Sequence, residues 1–77
     1  MNHTHPDFKP QNLGYYVSVN RERGLVGPVY IVRLHGSLNS YFAQHASRDS
    51  ALKDAKHQAH KNGLFCHDYT GPKVAYC

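Results

Sequence analysis

Tryptophan is absent from this 77-residue chain, methionine occurs once, and one glutamate joins four aspartates as its whole acidic complement. Long apolar runs are missing too. The longest blocks, "PVYIVRL" and "GLFC", fall far short of the roughly 20 residues that a transmembrane helix needs, so no membrane association is expected. The opening "MNHTHPDFKPQNLG" has no apolar segment of the secretory kind. Export is therefore not expected, and the expected location is the cytoplasm. Only two cysteines are present, Cys66 and Cys77. In a reducing cytosol they are expected as free thiols, although strands lying side by side would allow them to pair.

Catalytic signatures are equally scarce. None of the five serines sits in a Gly-x-Ser-x-Gly elbow. Cys66 stands beside His67, but neighbours on a strand point to opposite faces and do not form a dyad. "GLVG" is too short for a phosphate-cradling loop and lacks its Lys-Ser/Thr continuation. No enzyme activity and no cofactor are expected. A chain this short makes one domain with shallow surfaces rather than an enclosed active site.

What is present is positive charge and tyrosine. Nine Lys+Arg oppose five Asp+Glu, a net +4. Seven histidines add to it as pH falls through about 6.5. This balance favours acidic partners. Six tyrosines and three phenylalanines interleave with the cations. Tyr15, Tyr30 and Phe42 are expected in the core, and Tyr16, Tyr41, Tyr69 and Tyr76 are the candidates for the surface, where tyrosine serves interfaces and base stacking alike.

Residues 1–13 read as a flexible tail and 14–77 as one domain. In "GYYVSVN", Tyr15, Val17 and Val19 alternate with Tyr16, Ser18 and Asn20, a half-buried strand. "RERGLVGP" reads as a turn. "VYIVRLH" is a second, β-branched strand, with Val29, Ile31, Arg33 and His35 on one side. "GSLNS" turns into "YFAQHA", a third. "SRDSALKDAKHQAHKNG" is a helix: Ser47 caps its start, Asp49 suits the positive end of the dipole, and Gly63 suits a left-handed close. Ala51, Leu52, Ala55 and Ala59 form its apolar stripe. "LFCHDY" and "KVAYC" complete the order β-β-β-α-β-β. The predicted fold class is α+β, an antiparallel sheet with one helix on one face and the other face open.

The candidate partner-binding residues follow from that plan. Lys53, Lys56, His57, His60 and Lys61 face out from the helix; Tyr16, Arg33 and His35 lie on the open sheet face. A metal-dependent sensor is a further reading: His57 and His60 share a helical face and Cys66 follows, but H-x2-H-x5-C is not a zinc spacing and lacks a fourth ligand, so no metal is expected. Met1-Asn2-His3 has the donor pattern for square-planar Cu(II) or Ni(II). An exposed edge at "KVAYC" would allow a homodimer by strand addition.

The stretch from Tyr15 to Gly63 resembles AP2-type DNA-binding modules and the arm-binding domains of phage integrases. The carriers are "VYIVRLHG", "YFA" and "ASRDSALKDAKHQAHKNG". That resemblance implies a three-stranded sheet reading the major groove through Arg33, with Arg21 and Arg23 beside it; the tryptophans usual in AP2 modules are missing here. The whole plan is also similar to small phage-encoded anti-CRISPR inhibitors, through "YYVSVNRERG", the alanine-bearing helix and "GPKVAYC". This likeness implies a basic protein that blocks a nucleic-acid-handling complex by occupying its surface, in the cytoplasm of a host cell. The expected partner is thus an acidic protein surface or a nucleoprotein complex. The alternative is direct DNA binding.

Overall fold

The computed structural model describes residues 15–36 and 41–77. The tail at 1–13, with the Met1-Asn2-His3 motif, and most of the "GSLNS" turn lie outside the described residues.

Among the described residues five strands and one helix follow in the expected order: β1 (Tyr16–Arg23), β2 (Pro28–His35), β3 (Phe42–His45), α1 (Arg48–Asn62), β4 (Phe65–Asp68) and β5 (Ala75–Tyr76). In space they form one sheet ordered β3-β2-β1-β4-β5. The sheet is mixed rather than wholly antiparallel. β1–β2, β2–β3 and β4–β5 are antiparallel, whereas β4 runs parallel to β1, pairing Tyr16 with Phe65 and Val19 with Asp68. The helix is the physical reason. Its 15 residues span about 22 Å and carry the chain back to the end where β3 began. β4 therefore starts in the direction of β3, which is also that of β1, and parallel neighbours need such a crossover.

Both helix ends are built as their residues dictate. The Ser47 hydroxyl accepts the Ser50 amide at 3.2 Å. Gly63 sits at φ 65°, its amide donating to His60 and that of Leu64 to Ala59, which closes the last turn as a Schellman motif. Ala51, Leu52, Ala55 and Ala59 are buried against Val17, Val19, Val32, Leu34 and Cys66. Alanines at three of four stripe positions let the helix axis approach the sheet closely. The sheet supplies most of the core volume.

Two networks fix the helix further. Asp54 accepts from the Tyr41 hydroxyl at 2.9 Å and pairs with His45 at 2.8 Å, tying mid-helix to β3. Arg48 donates to Asp68 at 2.7 Å and to the Thr70 hydroxyl at 2.8 Å, tying the first turn to the end of β4.

Several expectations need correction. β1 continues through Arg23, into what reads as a turn. Tyr15 and Phe42 are more than half exposed instead of core, so of the three aromatics expected there Tyr30 alone packs against the core cluster, and Tyr41, expected at the surface, packs against it as well. Cys66 and Cys77 are joined in a disulfide. The antiparallel β4–β5 pairing places them side by side, and the Cys77 amide donates to the Cys66 carbonyl at 2.9 Å. Among the described residues no helix is long and apolar enough to cross a membrane.

Candidate functional site

Strand alternation sorts the candidates onto two opposite surfaces. Val17, Val19, Val32, Leu34 and Cys66 face the helix. Their neighbours Tyr16, Ser18, Arg33, His35 and His67 therefore point away from it. Lys53, Lys56, His57, His60 and Lys61 are all exposed on the far side of α1. The eight predicted partner-binding residues thus form two groups separated by the sheet.

The sheet surface is a row of rings. Tyr16 stacks on His35 with centroids 4.3 Å apart and planes 9° apart, and on His67 at 4.9 Å. Tyr69 and Tyr76 meet the His67 ring edge-on. Enclosed by three tyrosines, His67 is completely buried, and Ser18 and Ile31 on this face are buried as well. The face is thus less open than the alternation alone implies. Burial, and then the charge of Arg33, lowers the pKa of His35. Burial, and then His35, lowers that of His67. Ser18 Oγ and His35 Nε2 share a hydrogen bond of 2.8 Å. At 1 % exposure, however, the serine is shielded from an incoming substrate. What remains accessible is stacking surface and one cation: the Arg33 guanidinium lies 5.0 Å over the exposed Phe42 ring, a cation–π pair.

The helix surface is electrostatic. Among the described residues, no ion pair engages Lys53, Lys56 or Lys61. Of the two acids on α1, Asp54 is engaged by Tyr41 and His45, and Asp49 sits at the first turn. The outer face from Lys53 to Lys61 therefore carries uncompensated positive charge. Beside it runs a shallow groove of about 470 Å³ lined by Lys56, Leu64, Phe65, Tyr76 and the disulfide.

The proposed metal donors do not converge. His57 and His60 face solvent, whereas Cys66 faces the helix's buried side and is bonded to Cys77. No group of three His, Cys, Asp or Glu able to hold a metal occurs among the described residues.

Sequence reasoning misses Phe42 and Phe65 as surface aromatics. The signal is present for Phe42: period two in "YFAQHA" places it with Gln44 on the Arg33 side, as the Arg33–Phe42 register confirms. Set against known proteins, the chain matches no family model, no curated protein and no solved structure.

Proposed function

We propose that this protein is a non-enzymatic binding module of phage or mobile-element type. It inhibits or regulates a nucleic-acid-handling complex by covering an acidic part of its surface, in the manner of an anti-CRISPR. The observation that supports this reading is the outer face of α1. Lys53, Lys56 and Lys61 stand there without carboxylate partners among the described residues, next to a groove walled by Leu64, Phe65 and Tyr76. A charged rim around an aromatic foothold is the usual anatomy of a protein interface. The proposed setting is the cytoplasm of a host cell. The Cys66–Cys77 disulfide is an exception to the reduced thiols usual there.

The test is capture of nucleic-acid-handling complexes from host lysate by the immobilised protein, with Lys56→Glu/Lys61→Glu as the comparison. Loss of capture is expected, with the melting temperature held within about 2 °C because both sites are exposed. Undiminished capture removes the helix from the interface.

A second reading, direct DNA binding through the sheet, draws on the exposed Arg33–Phe42 pair. Salt separates the two. Phosphate-dominated affinity falls steeply between low and physiological salt, and an interface anchored on aromatic rings much less so.

A further inference from the structure

The hairpin joining β1 to β2 outruns its sheet. β4 pairs with β1 only over Tyr16–Val19, and β3 with β2 only over Tyr30–Arg33. Beyond those limits the rungs Glu22–Val29 and Arg23–Pro28 form a free two-stranded ribbon among the described residues. From Glu22 to Leu25 at the tip it extends at most about 10 Å. At the tip, Leu25 and Val26 are 106 % and 101 % exposed, as open as in an isolated peptide.

The turn is firmly built. The Gly24 amide donates to the Gly27 carbonyl at 2.8 Å. A Cβ on Gly24 would stand 2.6 Å from that same oxygen, and Gly27 lies at φ 155°. Those glycines leave the flanks of the tip bare, so Leu25 and Val26 are the side chains it presents. Neither has positive φ, and turns favour Asn, Asp, Ser and Gly at such places. Folding therefore does not call for an apolar pair here. Behind the tip, Arg21 and Arg23 alternate onto one side of the ribbon and Glu22 onto the other; all three are exposed.

From this geometry we infer that the β1–β2 hairpin is a nucleic-acid-binding arm. It enters the minor groove of duplex DNA, Leu25 and Val26 wedging at a base step while Arg21 and Arg23 hold the flanking phosphates. A narrow ribbon fits a groove, one or two apolar side chains suffice to unstack a step and kink the duplex, and arginine pairs well with phosphate. A membrane is a poorer match, since interfacial anchors bring a whole apolar helix face or an acyl chain. Arg21, Arg23 and the duplex are shared with the DNA-binding reading, on which this proposal builds; the hairpin tip, and neither Arg33 and Phe42 nor the cations of α1, makes the contact.

The experiment titrates the full chain into a short AT-rich duplex carrying a donor–acceptor dye pair at its ends. Anisotropy reports binding, and energy transfer reports bending. Wild type should bind at low salt and shorten the end-to-end distance. Leu25→Ser/Val26→Ser should abolish the bend and weaken binding about tenfold, leaving the salt slope intact because no phosphate contact is lost. Arg21→Ala/Arg23→Ala should lower the slope of log K against log salt by about 1.8, two phosphates' worth. Both variants change exposed residues, and an unchanged circular-dichroism melt verifies their folding. Three results overturn the inference: no duplex binding at low salt; wild-type bending by the hairpin variants, with loss only in Arg33→Ala/Phe42→Ala; or capture of phosphatidylserine vesicles through Leu25 and Val26 with no effect of that pair on the duplex.

Discussion

Arg48 reaches Asp68 across the end of the sheet, closing an ion pair of 2.7 Å whose arginine is 45 % exposed and whose carboxylate is 4 % exposed. Asp68 also accepts the Thr70 amide at 2.9 Å and its hydroxyl at 2.6 Å. The helix start and the end of β4 are therefore held through this carboxylate together with the Thr70 hydroxyl, which Arg48 also reaches. Arg48→Ala strips the charge partner from a nearly buried anion, and a loss of roughly 2–3 kcal/mol is expected, below the range for fully buried pairs because the arginine end is wet. Urea unfolding measures it, and a loss under 0.5 kcal/mol, the scatter of ordinary surface changes, would show that Thr70 alone suffices.

Acid should loosen the ring row. Burial lowers the pKa of His67 below its ordinary 6.5, and that of His35 likewise. The unfolded chain then takes up protons at a higher pH than the folded one. Stability is fully present above about 6.5 and is lost as pH falls through the lower, folded values. Melting temperature measured from neutral pH downward should decline across that window, and His67→Gln should flatten the decline relative to its own neutral-pH value. An equally steep decline in the variant would assign the effect to other groups.

The Cys66–Cys77 bond closes a short loop through β4 and β5. Constraint of the unfolded chain by such a loop is worth about 3 kcal/mol. Cys66→Ala/Cys77→Ala, or addition of dithiothreitol, should lower stability by that order. Hydrogen exchange should rise first at Cys77, whose amide serves the two-residue strand β5.

Ala55 has no exposed surface and lies where α1 meets the sheet. Ala55→Leu forces extra methyl groups into that contact, and a cost of about 1–3 kcal/mol is expected. Ala55→Gly should also destabilise, through helix propensity, by about 1 kcal/mol. Thermal melts of the two variants check whether this site is closed from both directions.

The helix was the most legible part of the chain. Ser47, the alanine stripe and Gly63 act within one or two turns of their own position, so local chemistry suffices to place them. Strand pairing is a different matter. Alternation in "YYVSVN" says which side chains share a face, but not that β4 will lie parallel to β1, because that depends on where the helix delivers the chain. "RER" reads as part of a turn because a ribbon that projects past its neighbours has no buried face to imprint an apolar period. Cys66 and Cys77 become partners only once β5 has found β4. Of the candidate site, the cations of α1 follow from helical spacing. The stacking of Tyr16 between His35 and His67 required three strands to be brought together.

The parallel pairing of β1 with β4 also orders the events of assembly. The β1–β2 hairpin joins near neighbours and can zip outward from the Gly24–Gly27 turn. β4 must wait for β3 and the whole of α1, and its contacts with β1 bridge nearly the full described span, so the entropy of closing that span is committed late. Substitutions in β4 should then act chiefly on how fast the protein comes apart, and substitutions in the hairpin on how fast it forms.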